Sequence, residues 1–433
     1  MVKVAYTPAG PAFRILRDMH VLILNQYALP SGEAGITRNA DIGAELVARG
    51  HTVTIIASDY DYMTREPTRR RADERGDNVR GVSFKWLSTG TYSANDRRRI
   101  LSMGRYGVAA AWAGLRVRPA PDVVIGSSPQ PLAGLAASVV ARMRHIPFIF
   151  EARDIWPSAL VDLGAIRRNS TTHRLLVWLE RHLYRTANAV VSVPPRGALR
   201  LAELGLDPHK VTHIPNGAST ALREPGPLPE TLERLLQEAD GRFVLAYAGA
   251  IGVPHRFDTI LDALGQLRAN QRELYDRLAV VLVGDGVAAA PIRARAEALR
   301  LNNLRIHSPV PKPAVRSFLV RADACLMQAA ASDHFRYGFS PNKLFDYFAA
   351  GKPVLIASAH PTLVDETGAG IRYEPGDPSA LVGALSAIMN IPEGERRKMG
   401  ERGRRLAETE YSMATITDRY EALLEKVVAG HRR

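Results

Sequence analysis

Cysteine is almost absent from this chain of 433 residues, and long apolar runs are missing. The single thiol, Cys325, excludes an internal disulfide framework and leaves no credible set of zinc ligands. No apolar run reaches the roughly 20 residues that a membrane-spanning helix needs, and the first residues lack a secretory signal pattern. We therefore expect a cytoplasmic protein, and peripheral attachment to the inner face of the plasma membrane stays open.

Two common nucleotide-binding fingerprints are also missing. No G-x-G-x-x-G follows the first apolar strand, and the P-loop pattern G-x-x-x-x-G-K-[ST] does not occur. The sequence therefore favours neither a dinucleotide-dependent oxidoreductase nor a P-loop NTPase.

Positive charge is in excess and is distributed unevenly. The formal net charge is +13, and the segment 65–118 contains thirteen Lys or Arg but only five Asp or Glu. Within it, Leu101, Val108, Trp112 and Leu115 recur near helical spacing. Such a helix can lie on an anionic membrane surface, or it can dock on its own sheet with its arginines in water. A non-catalytic basic protein that binds a membrane or a nucleotide is therefore an alternative, whereas no nucleic-acid-binding motif is present.

Short apolar strands alternate with helices along nearly the whole chain. The stretch HVLILNQY is typical of a buried first strand, and TVTIIAS, IPFIF and FVLAY repeat the pattern. This alternation predicts an α/β protein with two doubly wound parallel-sheet domains and a cleft between them. We expect an N-terminal extension over 1–18, a first domain over 19–218, a proline-rich linker over 219–240, a second domain over 241–408, and a terminal helix over 409–433 that packs back on the first domain.

The most informative stretch is YGFSPNKLFDYFAAGKPVLIAS, residues 337–358. Ser340, followed by proline, predicts the start of a helix, and Gly351 predicts its end before a buried strand. Lys343 then falls in the first helical turn, where a cation is unfavourable unless an anion shares the site. Asp346, one turn further on, is placed to accept hydrogen bonds from a sugar diol. The alternative is an ordinary capped helix with a solvated Lys–Asp pair.

Other candidate residues follow the predicted strands, at the sheet edge where open α/β sheets bind ligands. Glycine-rich turns at 249–252 and 284–286 could gather backbone N–H groups around a diphosphate, although such a turn alone is more often structural. Glu151 and Asp154 follow IPFIF and are carboxylates suited to sugar contact or proton transfer. A structural ion pair between Arg153 and Asp154 is the alternative.

In combination, ARGHTVTIIAS, IPFIFEARDIWPSAL, HIPNGAS, VLVGDG and SPNKLFDYFAAGKPVLIAS resemble the retaining glycosyltransferases of family four. They are most similar to the branch that transfers N-acetylated amino sugars, of the N-acetylfucosamine type, in bacterial O-antigen and capsule assembly. The resemblance covers nearly the whole chain from Met19. It implies the GT-B fold, in which two Rossmann-like domains face each other, and a UDP-sugar donor used without metal or cofactor. Gly338 and Asp346 stand where that family has a pair of glutamates.

The resemblance also implies a lipid-linked or glycan acceptor and roles for particular residues. A UDP-N-acetylglucosamine 2-epimerase on the same scaffold is the alternative enzyme. The implied catalytic residues are Asp154 and Glu151. The implied donor-binding residues are Lys343, Phe339 and Ser340 at the diphosphate, Asp346 at the ribose, Val310 at the nucleobase, and Gly249 and Gly252 in a phosphate-contacting loop whose cation is Arg256 or His255. The residues of the loop facing the acceptor and the donor phosphate are Gly35 and Arg38.

Overall fold

The computed structural model describes residues 18–33, 35–61, 77–92, 97–162, 164–218, 225–329, 331–338 and 340–432. The expected extension therefore lies outside the described residues except for Asp18. In the described part, the predicted architecture of two parallel-sheet α/β domains is confirmed.

The strands of the N-terminal domain are β1 (His20–Leu24), β2 (Thr52–Ser58), β3 (Asp77–Val79), β4 (Val82–Leu87), β5 (Val123–Ser127), β6 (Phe148–Ala152), β7 (Ala189–Ser192) and β8 (Val211–His213). They form one sheet in the order β3-β4-β2-β1-β5-β6-β7-β8. Only the edge pair β3 and β4 is antiparallel among these described strands. The polar, charged sequence of residues 61–80 predicts a loop, yet residues 77–79 form the edge strand β3, because they pair with β4. Residues 62–76 lie outside the described part.

The C-terminal domain has an all-parallel sheet in its described residues. Its strands are β9 (Phe243–Ala248), β10 (Leu278–Val283), β11 (Leu304–His307), β12 (Ala324–Met327), β13 (Val354–Ala357) and β14 (Gly370–Tyr373). Their order is β11-β10-β9-β12-β13-β14. Apart from the partly buried Phe243 at the start of β9, strands β9, β10 and β13 are buried because helices cover both faces, which explains why the sequence shows continuous apolar runs.

Helices follow most strands and complete the two layers around each sheet. In the N-terminal domain they are α1 (Arg38–Ala48), α2 (Arg97–Gly114), α3 (Pro131–Arg144), α4 (Ser158–Asp162), α5 (Thr171–Thr186) and α6 (Gly197–Glu203). The following helices are α7 (Glu230–Glu238), α8 (Asp258–Asn270), α9 (Arg272–Asp276), α10 (Ala289–Ala298), α11 (Lys312–Val320), α12 (Asn342–Ala349), α13 (Leu363–Thr367), α14 (Pro378–Asn390), α15 (Glu393–Glu408) and α16 (Met413–His431). No described helix is both long enough and apolar enough to cross a membrane.

Helix α7 corrects the expected linker. Leu232 and Leu236 of this helix are buried in the core of the C-terminal domain, together with residues of β9 and α11. The second part of the range 219–240 therefore belongs to that domain, and residues 219–224 lie outside the described part.

The chain crosses between the domains twice, and the two crossings run side by side. The backbone N–H of Ala218, in the first crossing, donates to the carbonyl of Tyr411 in the second at 2.9 Å. After this point α16 packs against α1, and its apolar side chains lie in the core of the N-terminal domain. The last helix thereby closes the N-terminal domain with residues that are remote in sequence.

Candidate functional site: a lysine against glycine turns at the domain cleft

Three glycines at the carboxyl ends of β9 and β10 allow two turns to pack directly on each other. A Cβ atom at Gly284 would lie 1.8 Å from the carbonyl oxygen of Gly249, and one at Gly286 would lie 2.5 Å from that of Ile251. The φ angles of these glycines are +142° at Gly249, +157° at Gly284 and +153° at Gly286. Side chains are therefore excluded from this edge of the sheet, where backbone groups lie against the neighbouring helix α12.

Lys343 of α12 lies directly over the first of these turns. A Cβ atom at Gly249 would lie 2.1 Å from Cε of Lys343, so the aliphatic part of the lysine occupies the space that a side chain would need. Lys343 is the second residue of α12, as the sequence predicted for a first-turn lysine. The helix N-terminus, the lysine ammonium and the glycine turns thus meet at one point, which favours an anion.

Tyr247 and His255 hold the lysine in this position. Nζ of Lys343 donates to the hydroxyl of Tyr247 at 2.7 Å, and that hydroxyl donates to the carbonyl of Ala250 at 2.6 Å. Nε2 of His255 lies 3.4 Å from Nζ of Lys343, while Nδ1 accepts from the backbone N–H of Gly252 at 3.3 Å. The resemblance already points to His255 or Arg256 as the cation of this loop. Tyr247 was not selected from the sequence, although it stands one residue before the end of the strand that enters the glycine turn.

The environment of this group changes two pKa values. Burial lowers the pKa of Lys343 to about 8, although Asp346 on the same helix acts to raise it. Burial and then the charge of Lys343 lower the pKa of His255 to about 3. His255 is therefore neutral near pH 7, whereas Lys343, whose pKa lies above 7, is the cation of the site.

The remaining candidates of the C-terminal domain have different surroundings. Arg256 is exposed and follows the 253–255 turn with a φ of +48°, so its guanidinium does not share the buried position of Lys343. Asp346 is half-buried on α12. Gly252 is a half-buried member of the first turn, and Val310 is buried in the domain core just before α11. Phe339 lies outside the described residues.

Ser340 is not the cap of α12, which corrects the sequence assignment. Pro341 occupies the cap position, and the helix begins at Asn342. Ser340 instead contacts Asn216 of the interdomain crossing: its Oγ accepts from the backbone N–H at 3.3 Å, and its carbonyl accepts from Nδ2. Ser340 therefore connects α12, the lysine helix, with the first interdomain crossing (residues 214–218), which we call the hinge.

Gly338, which stands where the family has its first glutamate, lies in a close contact between the two domains. Gly338 has a φ of +96°, and a Cβ atom there would lie 2.3 Å from Cγ of Pro195. Next to it, the backbone N–H of Arg196 donates to the carbonyl of Tyr337 at 2.8 Å. Any side chain at 338 would clash with the N-terminal domain in this arrangement, so this glycine lets the domains approach each other.

In the N-terminal domain, only one of the two candidate carboxylates reaches solvent. Asp154 is exposed beyond the carboxyl end of β6 and borders a small cavity of about 20 Å³ together with Trp156. Glu151 is 0% exposed and accepts hydrogen bonds from Arg38, Asn39, Ser127 and Tyr420. The catalytic assignment of Glu151 is therefore wrong, because its carboxylate is enclosed by protein donors.

Arg38 is the structural partner of that glutamate. Its Nε donates to Glu151 at 3.2 Å, and its Nη atoms donate to the carbonyls of Ile214 and Pro215 in the interdomain crossing. Burial would raise the pKa of Glu151, but the nearby charge of Arg38 and the hydrogen bonds hold it below its ordinary value. The assignment of Arg38 to a phosphate is therefore wrong, because its donors are used inside the domain and at the hinge.

The loop between β1 and α1 nevertheless reaches the opposite domain. Gly35 is half-exposed in this loop with a φ of +136°. Two residues later, the hydroxyl of Thr37 accepts from Nζ of Lys312, at the start of α11, at 2.7 Å. Neither Thr37 nor Lys312 was selected from the sequence, because a contact across 275 positions leaves no local pattern.

No group of three or more His, Cys, Asp or Glu side chains in the described residues is arranged to hold a metal ion. The metal independence of the reaction stays a prediction.

Two families of glycosyltransferase domains match this chain. Residues 35–217 match the family described as glycosyl transferase 4-like domain, and residues 242–390 match the one described as glycosyl transferases group 1. The two matches together cover more than half of the chain, one in each sheet domain.

Curated and solved proteins agree with these matches. A probable glycosyltransferase, WbjE, from Pseudomonas aeruginosa is 24% identical over 274 residues, which are 62% of this chain and 66% of that protein, just under two thirds of its length. Sucrose-phosphate synthase from Thermosynechococcus elongatus superposes with a TM-score of 0.72 at 14% identity, over 95% of this chain and all of the other. Anabaena HepE in complex with UDP and glucose superposes with a TM-score of 0.65 at 14% identity, over 94% of this chain and all of HepE. The structural likenesses establish the GT-B fold.

Proposed function

Because the chain is a glycosyltransferase with a family-4-like N-terminal domain and a group 1 C-terminal domain, we propose that it uses a UDP-sugar, carrying an N-acetylated amino sugar, as donor. The acceptor is a lipid-linked molecule or a growing glycan, and the anomeric configuration is retained. The observation that carries the donor site is the contact of Lys343 with Gly249, at the junction of a helix N-terminus and two glycine turns. A structural relative, HepE, has UDP and glucose bound, which supports the choice of nucleotide.

The proposed site stabilises the leaving group. When the bond from the anomeric carbon to the diphosphate oxygen breaks, its electron pair remains on that oxygen and the negative charge grows. The Lys343 ammonium and the first-turn N–H groups of α12 lie where such charge is stabilised. Tyr247 and the neutral His255 contribute by fixing the lysine, since a preorganised donor needs no reorganisation during the reaction.

In this proposal the anomeric configuration is retained without a carboxylate nucleophile. Glu151 is enclosed, and Asp154 is the exposed carboxylate beside the cleft, where we assign it to sugar contact. The acceptor hydroxyl then attacks from the face that the diphosphate leaves. Its oxygen forms the new glycosidic bond, and its proton passes to the departing phosphate oxygen, so atoms and charges balance.

Helix α2 supports a membrane-associated acceptor. Its small inner residues and Tyr106 pack on the domain, whereas Ile100, Leu101, Val108 and Trp112 are exposed by 69%, 52%, 76% and 62%. Arginines accompany them, as the sequence segment predicts, and the guanidinium of Arg116 lies 3.1 Å from the ring centroid of Trp112. Large apolar side chains beside arginines are suited to an anionic lipid surface. We therefore propose peripheral attachment through α2.

The proposed activity can be tested by incubating the full chain with individual UDP-sugars and a bacterial lipid extract, and by measuring released UDP. We expect release from an N-acetylated amino-sugar donor only when extract is present, with the donor configuration kept in the product. We expect Lys343→Met to reduce the rate by about 100-fold or more, since single charge-stabilising donors contribute on this scale. Formation of a free 2-epimer without extract would favour the epimerase, and no consumption of any UDP-sugar would contradict the proposal.

A further inference from the structure

A second cavity, which has a polar lining, lies at the domain interface, between the N-terminal domain and the segment that leads to α12. Its volume is about 220 Å³. Helices α4, α5 and α6 form one wall, and the 333–337 turn of the C-terminal domain forms the other. The residues that line it are Ser158, Val161, Asp162, Arg168, His173, Val177, Arg200, Leu204, Arg336 and Tyr337.

The charged lining is rich in cations. Arg168, Arg200 and Arg336 face the cavity beside the ring of His173. Among the described lining residues the carboxylate is Asp162, which accepts a hydrogen bond from Ser332 at 2.8 Å. Arg200 donates to Glu180 through Nε and Nη2 and to Glu203 through Nη1, and Arg336 also donates to Glu203. Neither glutamate lines the cavity. Glu180 and Glu203 therefore hold these two guanidinium groups in place and compensate their charge, so a bound anion depends mainly on a further cation of the lining.

Arg168 differs from these two arginines because its charge is uncompensated. It makes no ion pair with any carboxylate in the described part of the chain, and it is exposed at the cavity mouth. Its neighbour in the cavity, His173, accepts the N–H of Asn169 at Nδ1, at 3.3 Å. The neutral ring then has its proton on Nε2, which is a further donor.

Apolar side chains adjoin the charged cavity. Val161, Val177 and Leu204 belong to its lining. On the outer surfaces of α5 and α6, Leu175, Trp178 and Leu199 are exposed by 61%, 60% and 51%. Helix α5 packs against α3, which packs against α2, so this surface belongs to the same helical layer as the exposed apolar face of α2.

The cavity lies close in the chain to the residues that we assign to the donor sugar and the diphosphate. Helix α4 follows closely after Asp154, and the 333–337 turn precedes Lys343 by a few residues. Pockets that enclose a whole drug-sized ligand have volumes of about 300 Å³ or more. This cavity is smaller, so it suits one charged group of a larger substrate. We infer that it binds the phosphate or diphosphate head of a lipid-linked acceptor, whose apolar chain lies along Leu175 and Trp178. This inference rests on the proposed function, which it deepens.

The experiment is a calorimetric titration of the full chain with farnesyl phosphate, below the concentration at which it aggregates, and with inorganic phosphate. We expect wild type to bind farnesyl phosphate at least tenfold more tightly than inorganic phosphate. Arg168→Glu should weaken farnesyl phosphate binding at least tenfold, because charge attraction becomes repulsion. Trp178→Ser should weaken farnesyl phosphate binding several-fold and leave the binding of inorganic phosphate unchanged.

The matched control is Arg181→Glu, an exposed arginine on the same helix that does not line the cavity. It should change the affinity by less than twofold. Equal binding by wild type and Arg168→Glu, or equal affinity for the two phosphates, would overturn the inference. UDP is titrated into the same samples: if UDP binds while farnesyl phosphate does not, only this inference fails, whereas absence of UDP binding would refute the proposed function.

Discussion

At the scale of single residues, Lys343 has an unusual combination of surroundings. Its side chain passes over Gly249, its ammonium donates to Tyr247, and its pKa is lowered to about 8 by burial. A lowered lysine pKa means that the protein without ligand disfavours the charge. An anion in the site reverses this preference, because it compensates both the ammonium and the helix N-terminus. Nucleotide binding and protonation of Lys343 should therefore be coupled.

This coupling predicts that UDP affinity falls as the pH rises through 8. Below pH 8 the lysine is already charged, whereas above it each bound UDP must bring a proton, at a cost of up to about tenfold in affinity per pH unit. The measurement is the dissociation constant of UDP between pH 7 and 9.5. Lys343→Arg is the control, because its guanidinium stays charged and UDP itself titrates identically with both proteins. Parallel pH profiles for wild type and Lys343→Arg would show that Lys343 does not titrate in this range.

Sequence reasoning at this scale succeeded where the pattern was local. Lys343 was selected because a cation in a first helical turn needs an anion, and the structure places it in that turn. Glu151 was misassigned because its partners Arg38 and Tyr420 are 113 and 269 positions away. Whether a carboxylate after a strand faces the cleft or the core depends on such distant residues.

At the scale of elements, α2 shows an inverted amphipathic pattern. Ser102, Tyr106, Ala110 and Gly114 face inward, and the large apolar residues face outward with the arginines. Small inner residues let α2 approach α3 closely: a Cβ atom at Gly107 would lie 3.3 Å from Cβ of Leu132. The sequence pattern left open whether the apolar stripe docks on the sheet, because periodicity does not say which stripe is buried.

We predict that the double variant Leu101→Ser, Trp112→Ser reduces binding to vesicles with 30 mol% anionic lipid by about tenfold or more. Both side chains are more than half exposed, so the change removes apolar area that would enter the lipid without opening the core. The measurement is co-sedimentation with vesicles at low and high salt. Val320→Ser, an exposed apolar residue on α11, is the matched control and should bind as wild type does. Equal binding by the double variant and wild type would exclude α2 as the attachment site.

At the scale of the whole molecule, one buried network joins the core of the N-terminal domain to the hinge and to α12. Tyr420 of α16 and Arg38 of α1 contact Glu151, Arg38 contacts the crossing at Ile214, and Asn216 contacts Ser340 before the lysine helix. The network therefore determines how the lysine helix is placed relative to the N-terminal domain. The alternation of strands and helices predicted both domains, whereas this network was not predictable because its members come from five separate segments.

The hinge also predicts a loss of stability in acid. Burial lowers the pKa of His213, which directly precedes the first crossing, to about 4, and Nε2 of this ring is buried without a hydrogen-bond partner in the described structure. The unfolded chain takes up this proton near pH 6.5, so stability is complete above 6.5 and decreases as the pH falls toward 4, by up to about 1.4 kcal/mol per unit. Glu151, with its lowered pKa, adds a further loss below about 4.5.

Urea unfolding between pH 7 and 4 measures this effect. His213→Gln should flatten the decrease in the free energy of unfolding between pH 6.5 and 4, because the variant has no proton to exclude from this position. His209→Gln, at an exposed histidine in the same connection, is the matched control and should leave the slope as in wild type. Identical slopes for His213→Gln and wild type would remove His213 from the explanation.

The central claim, that Lys343 and the glycine turns bind the diphosphate of the donor, is tested most directly by thermal unfolding with UDP. At 100 times its dissociation constant, UDP should stabilise wild type by about 2.7 kcal/mol and raise the melting temperature clearly. The same shift is expected for Lys352→Met, a lysine just beyond the other end of α12, and it should be largely lost in Lys343→Met. Equal stabilisation of all three proteins, or no stabilisation of wild type, would contradict the assigned donor site.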